Sequence, residues 1–198
     1  VAPDFVHFEA DGEGSCGYRA AAETSPLEVA CLRGHAAMVE VLLGHGATAD
    51  GTTRCRPLHS ACMHGRMTCV KLLLAARASP NARLQLAAGG HELTPLHVVA
   101  SAGWALLVQM LLDAGGDPMM EDGRGLNALH YITMATIPDR NSPLITTGSE
   151  PTRSTQGHCF RVFQEWFEQQ SKAPDADKKV VAVSEILTEC RRSIPKAR

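Results

Sequence analysis

The sequence predicts an all-α solenoid, a stack of helical hairpins joined by finger loops and closed by a C-terminal capping helix. Three observations carry that reading. A leucine, preceded by proline, is followed seven residues later by glycine at Leu27/Gly34, Leu58/Gly65 and Leu96/Gly103. A valine falls twelve positions after each leucine, with a leucine pair at plus three and plus four: Val39 with Leu42/Leu43, Val70 with Leu73/Leu74, Val108 with Leu111/Leu112. Apolar residues make up 44% of the chain and aromatic residues only 5%, so the core has to be built from Ala, Leu and Val.

Each element of the unit has a mechanical reason. Thr94 offers a hydroxyl at a helix start, and Pro95 fills the first helical position, where a missing N–H costs nothing. Gly34, Gly65 and Gly103 tolerate the left-handed backbone on which a two-turn helix ends. The Val-x-x-Leu-Leu block has the spacing of an apolar helical stripe, and Gly46 and Gly115 close it. A hairpin of that size cannot bury its own apolar face, so it must stack on neighbours of its own kind.

The leucines of the four copies, Leu27, Leu58, Leu96 and Leu129, lie 31, 38 and 33 residues apart. The segments TPLHVVASAGWALLVQMLLDAGGDP, SPLEVACLRGHAAMVEVLLGHGATAD and RPLHSACMHGRMTCVKLLLAARASPN resemble the ankyrin repeat, and DGRGLNALH opens a fourth copy. The organisation that follows is a preceding-repeat tail or N-terminal loop over 1–23 and repeats over 24–55, 56–93 and 94–126, the second with an extended finger loop. A degenerate repeat over 127–173 and a capping helix over 174–198 complete it. In the degenerate repeat the Pro/Ser/Thr-rich run after Met134 reads as a loop of 22 inserted residues, after which Phe163, Trp166 and Phe167 restore the apolar pattern. Glu28 stands in place of the motif histidine, Arg56 in place of threonine, and Asn127-Ala128 in place of Thr-Pro, where Asn can still cap.

The resemblance implies that His59, His97 and His130 tie neighbouring repeats by hydrogen bonds. It also implies a non-catalytic module that binds a partner protein or peptide on its concave face and loops. Carried over residue by residue, the expected contact positions are Leu32, Arg33, Met63, His64, Ser101 and Met134 at the inner helix ends. The loops add Arg54, His91, Leu93, Arg124 and Leu126. Leu32, Met63, Leu93 and Leu126 either form one apolar patch across repeats or pack each under its own loop. Trp104, in the slot after the repeat glycine, is either an interface anchor or a shield for the stack. Val180, Val183, Leu187, Cys190 and Ile194 form a one-sided C-terminal stripe, and the segment ILTECRRSI, through Ile186, Cys190 and Ile194, resembles the elongin-binding helix of SOCS-box proteins. That makes a substrate-recognition arm of a ubiquitin ligase, or a regulatory domain of a larger enzyme, the alternative function.

Chemistry has little to stand on. There is no G-x-S-x-G elbow, phosphate-binding loop or H-E-x-x-H, so neither catalysis nor a cofactor is expected. Cys55, His59, Cys62 and Cys69 lack tight knuckle spacing and are explained by the repeat, which argues against zinc. Cys31 and Cys62, equivalent in adjacent repeats, should stand about 8–10 Å apart, beyond disulfide reach. A net charge of −2 gives no basic field for nucleic acid, and no run of apolar residues is long enough for a membrane. Seven unpaired-looking cysteines suit a reducing cytoplasmic or nuclear setting, and a monomer is expected.

Overall fold

The computed structural model describes residues 25–51, 56–85, 92–135 and 153–171. Three helical hairpins follow one another: α1 (Pro26–Arg33) with α2 (Ala36–Gly44), α3 (Pro57–Met63) with α4 (Met67–Ala75), and α5 (Pro95–Ala102) with α6 (Ala105–Asp113). Helices α7 (Ala128–Ala135) and α8 (Arg153–Ser171) make the fourth pair. Between the second and third hairpins, β1 (Leu84–Gln85) and β2 (Glu92–Leu93) pair antiparallel, Leu84 opposite Leu93 and Gln85 opposite Glu92. An Arg83–Glu92 ion pair of 2.8 Å crosses the base of that finger.

The first helices α1, α3, α5 and α7 touch in sequence, and the second helices α2, α4, α6 and α8 do the same behind them. This two-layer stack is what the repeating stripe requires. Val39, Val70 and Val108 are fully buried, as are Leu73 and Leu111, with Leu27, Leu58 and Leu96 beside them.

Local chemistry sets the helix ends. Ser25 is extended, and its Oγ accepts the Glu28 N–H at 3.2 Å. The turn inside each hairpin closes the same way three times: His35 N–H donates to Ala30 O (2.9 Å), Arg66 N–H to Ala61 O (2.8 Å), and Trp104 N–H to Val99 O (3.1 Å). The second helices end on Gly46, Arg77 and Gly115 at φ +85°, +62° and +87°, with each N–H donating back 3.0 Å to Leu43, Leu74 or Leu112 O. Arg77 is thus held in a backbone shape that its two equivalents meet with glycine.

Neighbouring loops are tied by side chains at equivalent positions. Asp50 Oδ1 accepts the Ser79 N–H at 2.7 Å. In the next repeat Asn81 donates to Gly115 O at 3.0 Å and accepts the Asp117 N–H at 2.8 Å.

One expectation needs correction. Helix α8 begins at Arg153, so part of the run read as inserted loop is helical. The reason is a stripe that starts earlier than the aromatics: Cys159, Phe163 and Phe167 recur every fourth residue and are all fully buried. Their burial against α6 and α7 outweighs Gly157, which costs a helix interior about 1 kcal/mol.

Candidate functional site: inner helix ends and loops

The motif histidines set where the inner helices and loops stand. His59 Nε2–H donates to Leu93 O at 2.9 Å, 34 residues on, and His97 Nε2–H donates to Leu126 O at 3.0 Å. Donation from Nε2 leaves Nδ1 as the acceptor. His97 Nδ1 uses it, taking Thr94 Oγ1–H at 2.7 Å and Thr94 N–H at 3.2 Å. His59 Nδ1 is buried with no partner among the described residues, because Arg56 stands where the next repeat has threonine. Burial drives the His59 pKa down to about 3 against the pull of the Leu93 carbonyl, and burial lowers that of His97 too. Both rings are therefore neutral struts. In the first repeat Glu28 replaces the histidine, and its carboxylate accepts from Ser60 Oγ at 2.8 Å, so the inter-repeat tie survives with different chemistry.

A second anchor, absent from the sequence reading, holds the last loop. The Asp122 side chain is fully buried; Oδ1 accepts Arg124 N–H (2.8 Å) and Leu126 N–H (2.9 Å), and Oδ2 accepts Tyr131 O–H (2.7 Å) and Arg124 Nε–H (3.1 Å). Burial alone would raise this carboxyl, but the hydrogen bonds from Leu126, Tyr131 and Arg124 outweigh it and hold its pKa at about 2. Arg124 also hydrogen-bonds the Tyr131 hydroxyl and lies over its ring, 5.6 Å from the centroid. Asn127 caps α7, its Oδ1 accepting Leu129 N–H and His130 N–H at 3.2 and 3.3 Å.

The expected contact residues separate into surface and interior. Arg33 and Arg124 are exposed, while Leu32, Met63, His64, Trp104 and Leu126 are half-buried. Leu93 and Ser101 are not available: they are 1% and 4% exposed. Leu93 is drawn inside because its carbonyl must meet His59 while its side chain joins the buried core. Met63 and Leu126 also pack against the core, so the four apolar residues do not form a free row. Arg54, His91, the side chain of Met134, and Ile186, Cys190 and Ile194 lie outside the described residues. Trp104 covers the stack: its Cζ2 would stand 2.9 Å from a β-carbon on Gly65. Arg66, in the equivalent slot, covers Gly34 in the same manner and donates from Nε to Leu32 O at 3.3 Å. Sequence reasoning missed Arg66, although the shared offset from the repeat leucine, the same as that of Trp104, was the signal.

Among the described residues no group of three His, Cys, Asp or Glu side chains is placed to hold a metal ion. Cys31, Cys62, Cys69 and Cys159 are buried thiols, and burial pushes the pKa of Cys62 and Cys159 upward, away from the reactive thiolate. No helix among the described residues is long and apolar enough to cross a membrane.

Stacked hairpins with interlocked loops and solvent-facing inner helix ends define a repeat protein of the adaptable-surface class. The chain belongs to the ankyrin-repeat family: the family description for ankyrin repeats in three copies matches residues 8–84, and that for a single ankyrin repeat matches 91–123. No curated protein matches the chain. Ankyrin repeats are in general non-catalytic modules that bind other proteins.

Proposed function

We propose that this chain is a protein-interaction module that holds a partner protein or peptide along the inner helix ends, at Leu32, Arg33, Met63 and His64, with the loop around Arg124 and Leu126 alongside. One observation carries the reading. The stack satisfies its own framework through buried residues such as His59, His97, Val70 and Val108, while Arg33 and Arg124 are exposed and Leu32, Met63, His64 and Leu126 keep part of their surface in solvent. A surface not needed for folding is free to be shaped by a partner. The expected setting is the cytoplasm or nucleus, where buried thiols stay reduced.

Affinity capture from native lysate, repeated with Leu32→Glu and Met63→Glu, tests it. Loss of a captured protein from the folded variant supports the inner face as the grip. An unchanged set of captured proteins places the binding elsewhere.

A further inference from the structure

We infer that the partner segment is acidic, and that Arg33 and Arg66, brought together at the end of α1, are what selects it; this rests on the reading of the inner face given above. Arg33 is exposed in the last turn of α1. Arg66 comes from the next repeat and touches the residues on both sides of Arg33: its Nε donates to Leu32 O at 3.3 Å, and its Cδ would stand 2.8 Å from a β-carbon on Gly34. Arg33 and Arg66, from adjacent repeats, therefore both stand at one helix end.

Among the described residues neither makes an ion pair. The ion pairs among the described residues are Arg83–Glu92 and Arg124–Asp122, in the finger and in the fourth loop. The only carboxylate on α1 or α3 is Glu28, which is buried and accepts from Ser60. His35, next to Gly34, is exposed and adds no negative charge.

The geometry suits a carboxylate. Arg66 is held along its stem by Gly34 and spends Nε on a carbonyl, so its terminal nitrogens are presented with less ordering left to do on binding. A guanidinium meets a carboxylate through paired N–H donors. The half-buried Leu32 and Met63 beside the pair offer apolar contact between successive acidic residues. The expected ligand is an extended peptide in which Glu or Asp alternates with large apolar residues.

The test is fluorescence anisotropy with a labelled peptide of repeating Glu-Glu-Leu, its Gln-Gln-Leu counterpart and a serine-phosphorylated Gln-Ser-Leu peptide. The acidic peptide should bind at least about tenfold tighter than the amide one, and more weakly as salt is raised past roughly 150 mM. Arg33→Gln, which removes no side-chain hydrogen bond or ion pair among the described residues, should lose about threefold, and Arg33→Gln with Arg66→Gln about tenfold. Lys71→Gln, an exposed cation on α4, should leave the affinity unchanged. Equal binding of the amide peptide, preference for the phosphorylated one, no binding of the acidic one, or a loss in Lys71→Gln as large as in Arg33→Gln overturns the inference. Retained capture sensitivity to Leu32→Glu in that event would leave the inner-face reading standing.

Discussion

The indole of Trp104 occupies the space that a side chain at Gly65 would need: a β-carbon there would stand 2.9 Å from Cζ2 and 3.0 Å from Cε2, and Gly65 holds φ +63°. Gly65→Ala therefore suffers left-handed strain of about 1–2 kcal/mol and a clash with a rigid ring worth about 1–3 kcal/mol more. Gly46→Ala, at φ +85° with nothing within 4 Å, suffers the strain alone. Urea denaturation should rank Gly65→Ala as the more damaging change. Equal losses would mean the indole moves aside freely.

Arg77 adopts φ +62° at the position where the flanking repeats carry Gly46 and Gly115. Arg77→Gly removes the strain, partly offset by the greater freedom of glycine in the unfolded chain. The expected net gain is about 0.5–1 kcal/mol. A thermal midpoint that falls instead would show that the arginine contributes more than its backbone costs.

Arg56→Thr should also stabilise. It supplies His59 Nδ1 with the hydroxyl donor that Thr94 gives His97, and it removes the buried Nε of Arg56, which has no partner among the described residues. The gain is about 1 kcal/mol, less whatever the 3.2 Å bond from Arg56 to Asp50 O contributes. The check is equilibrium unfolding of Arg56→Thr beside Arg56→Ala, which should show no such gain.

Stability should fall with acidification. The folded-state pKa of His59 is lowered from 6.5 to about 3, so between those values the unfolded chain binds more protons, and stability drops as pH falls through that window. His97 acts in the same direction, and Asp122 adds its own loss between 3.8 and about 2. Each group contributes a slope of up to about 1.4 kcal/mol per pH unit. Urea midpoints of His59→Gln should depend less on pH than those of the parent between pH 7 and 4; an identical dependence would exclude His59 as a source.

Phe163→Ala should cost about 3–5 kcal/mol and keep a single unfolding transition, because Phe163 is fully buried in the core shared with the inner hairpins. A loss below about 1 kcal/mol would make α8 an accessory helix that unfolds by itself.

The sequence alone determined the hairpin, its period and its stacking, because burial acts on apolar side chains at fixed helical offsets and glycine marks the turns. Leu27, Val39, Val70 and Leu111 could be placed in the core from spacing only. What the tertiary structure decided is which surface residues remain at the surface. Leu93 went inside because a carbonyl 34 residues away from His59 had to meet its ring; Arg66 and Trp104 were directed onto glycines of the preceding repeat; and Asp122 gathered four donors that no local pattern reveals. Those relations join residues of different repeats or opposite ends of a loop; the repeat offset marks the positions of His59, Arg66 and Trp104, but which atoms they meet is set by how the repeats stack.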